Sequence, residues 1–153
     1  GQLRMKSILL ALAISASALP AMAADPTEAV QFFYNDPGSE LAPENRSRFT
    51  GKAKEVLDAA DAAGTDEGPC IGFMLSVDGQ DFDEEELKSS LNLAGAMAGE
   101  WGSVDATFMQ FGEDAKIEWL LEKIGDEWKI YDIASAKNNW KLSEIDCSAS
   151  ASQ

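Results

Sequence analysis

From Val104 to Tyr131 the chain spells out three strands in succession, and this pattern limits its fold more than any other feature. Val104, Ala106 and Phe108 alternate with Asp105 and Thr107. Ile117, Trp119 and Leu121 alternate with Lys116, Glu118 and Glu122, and Trp128 and Ile130 with Lys129 and Tyr131. Side chains that alternate with period two give each strand one apolar and one mostly polar face. Gly112-Glu113-Asp114 and Gly125-Asp126 supply the turns. The expected result is an antiparallel meander with one face on the core.

Helical patterns precede these strands. Asp25 can cap a helix, Pro26 suits its first position, and Glu28 stands where a capping-box acid belongs. Ala29, Val30 and Phe33 follow at helical spacing, and Asn35-Asp36-Pro37-Gly38 ends the run. A second helical region is expected over Pro43–Ala63, interrupted near Thr50-Gly51 and stopped by Gly64. Thr65–Pro69 reads as a loop and Cys70–Val77 as a short strand. Residues 83–91 read as a helix with acids in its first turn. Leu91–Met97 is rich in Ala and Gly and carries little pattern. Helices first and sheet last define an α+β class, with N-terminal helices packed on an antiparallel sheet and a C-terminal β-meander.

Residues 1–23 read as a signal peptide. Arg4 and Lys6 form its positive end, Ser7–Leu19 is apolar or small, and Ala21-Met22-Ala23 is an A-x-A cleavage signal before Ala24. An apolar run of about 13 residues falls short of the ~20 that cross a bilayer. The expected mature chain is one α+β domain over residues 24–153, periplasmic or secreted.

The net charge is −15, and losing Arg4 and Lys6 leaves ten basic against 27 acidic residues. Such a surface repels phosphate backbones and anionic lipid, which argues against nucleic acid and membrane partners. It favours a cationic protein partner, with an unidentified small molecule as the other expected ligand. The oligomeric state stays open, a dimer included. In an exported chain the two cysteines, Cys70 and Cys147, are expected to form a disulfide. No cofactor is implied. Two cysteines and no histidine give no zinc set. Asp78, Asp81, Asp83 and Glu85 fail the EF-hand spacing, with Glu86 where the loop needs Gly.

Gly125-Asp126-Glu127-Trp128-Lys129-Ile130-Tyr131-Asp132-Ile133, with Trp119 before it and Ala29, Val30, Phe33 and Tyr34 in the first helix, resembles the nuclear transport factor 2-like superfamily. The chain is similar to small exported bacterial proteins of that fold. The resemblance implies a curved antiparallel sheet wrapped around helices as a cone with an inner cavity. Its members include isomerases, dehydratases and non-catalytic binding domains, so fold alone selects no function.

Candidate chemistry is sparse. By strand parity Asp132 follows Trp128 and Ile130 toward the core or cavity, where a carboxylate in apolar surroundings is a candidate general base. Its alternative role is to end the strand by accepting backbone hydrogen bonds. Tyr131 points to the opposite face unless a bulge intervenes. Trp119 and Trp128 are candidate ligand-binding walls, or core fillers. The absence of histidine excludes Ser–His and Cys–His pairs. The sequence therefore favours an exported non-catalytic binding or protein-interaction domain of unknown ligand. Immunity against a toxin is one role in that class, though no residue singles it out. The alternative is a cofactor-independent isomerase, lyase or hydrolase with Asp132 as base.

Overall fold

A computed structural model describes residues 25–64 and 68–148. The signal-peptide expectation and part of the Thr65–Pro69 loop lie outside those residues. Among the described residues no helix is long and apolar enough to cross a membrane.

The helices are α1 (Pro26–Tyr34), α2 (Gly51–Ala63) and α3 (Glu84–Ser90). The strands are β1 (Asn92–Ala98), β2 (Trp101–Gln110), β3 (Glu113–Ile124), β4 (Glu127–Ser135) and β5 (Trp140–Lys141). They form one antiparallel sheet in the order β1-β2-β3-β4-β5. The α+β class, with helices leading into a meander, is as expected.

Local chemistry accounts for the helix limits. The Asp25 carboxylate accepts from the Glu28 N–H, and Pro26 opens α1. Asp83 caps α3 by accepting from the Glu86 N–H. The expected break near Thr50-Gly51 separates a 3-10 segment, Pro43–Arg48, from α2. Gly64, at φ +76°, ends α2.

The core lies between the helices and one face of the sheet. Val30, Phe33, Phe49, Leu57, Ile117, Trp119, Leu121 and Ile130 are buried there. Phe33 stacks on Trp119 with ring centroids 5.5 Å apart. Gly95 and Gly102 let α1 approach closely. A Cβ on Gly95 would stand 2.7 Å from Thr27 Cγ2, and one on Gly102 would stand 2.9 Å from Pro26 Cγ.

Three details differ from expectation. Residues 70–77 form turns held by a Met74–Gly79 bridge rather than a strand. Their apolar side chains Ile71, Leu75 and Val77 are buried, so the run's hydrophobicity reflects burial rather than strand pairing. Residues 92–98, weakly patterned in sequence, form β1. They are mostly exposed, so no apolar period marks them. Finally, the β3–β4 register shifts between Leu120 and Leu121.

The expected disulfide is present. Cys70 and Cys147 are bonded with Cα atoms 5.6 Å apart, across 77 residues of sequence. It fastens the chain after β5 to the loop that follows α2.

Candidate functional site

The register shift decides where Asp132 sits. Leu121 pairs with Ile130, but Leu120 pairs with Asp132 and Trp119 with Ile133, so Tyr131 is the extra residue of a bulge. A one-residue shift exchanges the faces of everything beyond it. Trp128 and Ile130 share the buried face before the bulge, and Ile133 takes that face after it. Asp132 therefore aligns with Leu120 rather than with Trp128 and Ile130, contrary to simple parity.

Asp132 is 7% exposed, under the 3-10 turn Leu142–Glu144. Its Oδ1 accepts from the Ile133 N–H at 3.0 Å and the Ser143 N–H at 2.9 Å. Its Oδ2 accepts from Ser143 Oγ at 2.7 Å. This carboxylate–hydroxyl pair fixes the turn onto β4.

The other sequence candidates are in the interior. Trp119 is fully buried against Phe33 and Tyr34, and its indole N–H donates to Tyr34 Oη at 3.1 Å. Trp128 is 5% exposed and packs near Gly102. The structure does not bring Trp119, Trp128 and Asp132 together around one open space. Both cysteines are in the disulfide, so neither is a thiol nucleophile. Among the described residues no group of three or more acids or cysteines could hold a metal ion.

Two surface features escaped the sequence. The first is an open cleft of about 550 Å³ beside β3, β4 and β5, where Lys116, Lys137 and Lys141 stand with Glu118 and Trp140. Asp78, from the distant 70–82 loop, shapes one side of this region. Its carboxylate accepts from Trp140 Nε1 and Ser135 Oγ, both at 2.8 Å, and from Asn138 Nδ2. Those three donors answer the superficial likeness of Asp78 to a calcium ligand.

The second is the outer face of the sheet. Register places Ala94, Ala96 and Ala98 of β1 beside Asp105, Ser103 and Trp101 of β2, and these beside Glu118, Leu120 and Glu122 of β3. Trp101 is 54% exposed and meets Tyr131 edge-on, centroids 5.2 Å apart. The bulge that moves Asp132 also makes Tyr131 the unpaired residue. Burial pushes the Tyr131 phenol pKa up, and the charges of Asp132, Glu122 and Glu118 push it further. The face therefore carries Trp101, Tyr131 and Leu120, with the acids Asp105, Glu118 and Glu122 interleaved with Lys116 and Lys129.

No protein-family model matches the chain, and no curated protein matches it. Solved structures share its fold, two of them from one complex. One is a chain of the native type VI effector–immunity complex Tae3–Tai3 from Ralstonia pickettii. It is 18% identical, with a TM-score of 0.53 over 74% of this chain and 97% of that one. The other comes from the selenomethionine form of that complex, 18% identical, with a TM-score of 0.50 over 72% and 94%.

These neighbours correct two expectations. The resemblance to the nuclear transport factor 2-like superfamily is not upheld, because the matching folds come from an effector–immunity complex. Its motif is one hairpin with an inward tryptophan, an arrangement any half-buried antiparallel sheet can use. The expectation of a non-catalytic binding domain of unknown ligand also gives way. The folds this chain resembles come from a pair in which one protein is an effector and the other its immunity protein.

Proposed function

We propose that this chain is an exported member of an effector–immunity pair, built to engage one cognate protein outside the cytoplasm. The supporting observation is the fold likeness, which spans 97% of the neighbouring chain. The disulfide agrees with work in an oxidising compartment, because cytosolic thiols are kept reduced.

An effector fits the sequence's hydrolase alternative better than a passive binding domain does. The chain limits what such chemistry can use. It has no histidine, and both cysteines are oxidised. Carboxylate–hydroxyl pairs remain, Asp78–Ser135 at 2.8 Å among them, and the one on the sequence's candidate base is Asp132–Ser143, with the carboxylate 2.7 Å from the hydroxyl it would activate.

A killing protein and its antidote must be inherited together, so the natural probe is the product of the adjacent gene. Each protein is directed to the periplasm alone and then with the other. Growth arrest by this chain, relieved by its neighbour, makes it the effector half. Arrest by the neighbour, relieved by this chain, makes it the immunity half. No arrest from either protein and no complex between them would overturn the pair reading.

A further inference from the structure

β1 is an unusual edge strand. Among the described residues only β2 pairs with it, so its other side presents backbone groups that no described strand pairs. Natural edge strands are usually guarded by charges, proline or a bulge. Asn92–Ala98 has no charge and no proline, and its register with β2 runs without a break over all seven residues. An open edge of this kind is a template for another strand.

The side chains next to that edge form a low, apolar surface. Ala94, Ala96 and Ala98 leave room above the backbone, and Trp101 and Tyr131 stand beyond them. Trp101 at 54% exposure and Ile124 at 45% are large exposed hydrophobic residues at the end of the sheet where β1 turns into β2 and β3 into β4, and Met97, at 61%, stands at the same end on the opposite face, paired with Gly102. Aromatic residues flanked by small ones are typical binding hot spots.

Charge selects the occupant. Glu100 sits in the β1–β2 turn beside the edge, Asp105 of β2 is opposite Ala94, and Glu118 and Glu122 lie further across the sheet on β3, Glu122 opposite Lys129. Lys116 lies 3.6 Å from Asp105 and Lys129 3.9 Å from Glu127, so these lysines are already matched to acids. A second copy would bring another chain of net charge −15 against the same acids.

We propose that the open edge of β1, with Ala94, Ala96, Ala98 and Trp101 beside it, is a docking surface for an extended basic segment of the cognate protein, which adds to β1 as a sixth strand. The assignment to a cognate protein rests on the effector–immunity reading; the open edge and its acidic surround do not. Main-chain bonds along β1 hold the segment, its apolar side chains rest on Ala94, Ala96 and Ala98 with Trp101 beside them, and its cations face Glu100 in the adjoining turn and the negative charge of the chain as a whole.

The test uses the intact mature protein and a synthetic peptide of alternating lysine and valine, followed by amide NMR at low salt. The expected perturbations fall on residues 92–98 and on Trp101. A peptide of alternating glutamate and valine is expected not to bind. Ala96→Lys should weaken the lysine peptide roughly three- to tenfold and Ala96→Glu should tighten it, while Trp101→Ala should weaken it at least about tenfold. Ala96 is exposed, so these changes leave the core untouched. Perturbations centred on the Lys116–Lys141 cleft, equal binding of the acidic peptide, no binding, or a concentration-dependent dimer through β1 would each overturn the proposal. Peptide docking on β1 without arrest or relief in cells would keep the surface and reject the pair.

Discussion

The indole N–H of Trp119 donates to the hydroxyl of Tyr34 at 3.1 Å, and this bond ties the middle of the sheet to the first helix. Tyr34 passes the link on, donating to the Ser76 carbonyl at 2.8 Å. The Ser76 N–H in turn donates to Glu40 Oε2 at 2.8 Å. One helix, one strand and two loops thus share a buried polar chain inside an otherwise apolar core.

Tyr34→Phe keeps the ring and removes the middle of that chain. Trp119 loses its acceptor and Ser76 its donor, both in the interior. The expected loss of stability is about 1–3 kcal/mol, the cost of stranding buried polar groups. Urea denaturation followed by tryptophan fluorescence measures it, with the slope expected to stay unchanged.

The same burial sets an alkaline response. Desolvation holds the Tyr34 phenol pKa well above the ordinary 10.0, with Glu40 adding to the rise and the Trp119 hydrogen bond opposing it. The folded chain keeps this proton while the unfolded chain releases it, so stability falls as pH rises above the unfolded value. Ultraviolet titration should show Tyr131, also raised but partly exposed, ionising before Tyr34, which follows only as the fold opens. An early change of both tyrosines together would contradict this order.

Glu40 gives the opposite end of the pH scale. Its carboxylate is fully buried and accepts from the Gly38 and Ser76 N–H groups. Burial nevertheless raises its pKa above the ordinary 4.5, outweighing those bonds. The folded state therefore holds the proton more tightly, and the Glu40 contribution to stability falls as pH rises through 4.5 to the folded value. Glu40→Gln keeps one acceptor, loses the other, and removes the titration. It is expected to cost about 1–3 kcal/mol. The gap between native and variant should be wider at about pH 4 than at about pH 7, by denaturant titration at both.

The disulfide is expected to decide where the chain can fold. For a loop of 77 residues, the chain-entropy model gives about 4–5 kcal/mol. That is comparable to the whole stability of many domains, about 5–15 kcal/mol. Cys147→Ala, or reduction, should leave a marginal fold. Denaturation midpoints with and without reductant check this, and equal midpoints would refute it.

What could be read from the sequence follows from where each strand lies. β2, β3 and β4 have one buried and one solvated face, so Val104, Ile117 and Trp128 stand in visible alternation with charges. β1 is exposed on both faces at most positions and carries Ala and Gly, which leaves no period to detect. Ile71, Leu75 and Val77 are as apolar as strand residues, yet they reach the core from a turn-rich loop. The bulge at Tyr131 carries no local signal either, because Tyr131-Asp132-Ile133 continues the alternation on paper. That one residue separates a carboxylate facing the core from one held under the Leu142–Glu144 turn, and it also gives the Trp101–Tyr131 face its second ring.

Asp132 is where fold and function can be separated by mutation. Three donors converge on it: the Ile133 and Ser143 N–H groups and the Ser143 hydroxyl. Asp132→Ala strands all three, and about 2–3 kcal/mol of stability should be lost. Asp132→Asn can keep its amide oxygen toward the two N–H groups and turn its NH₂ toward Ser143 Oγ, which can also accept. Its cost should be about 1 kcal/mol or less. Ser143→Ala leaves both backbone bonds and should behave like Asp132→Asn. These two mild variants carry the functional question, because both keep the fold and both dismantle the carboxylate–hydroxyl pair. In the arrest experiment, an effector half that uses the pair should lose roughly 10²–10⁴-fold in rate with either variant, the usual share of acid–base catalysis. Full arrest or full relief by both variants would show that the pair only holds the turn to β4, and would move the search for activity to the outer sheet face.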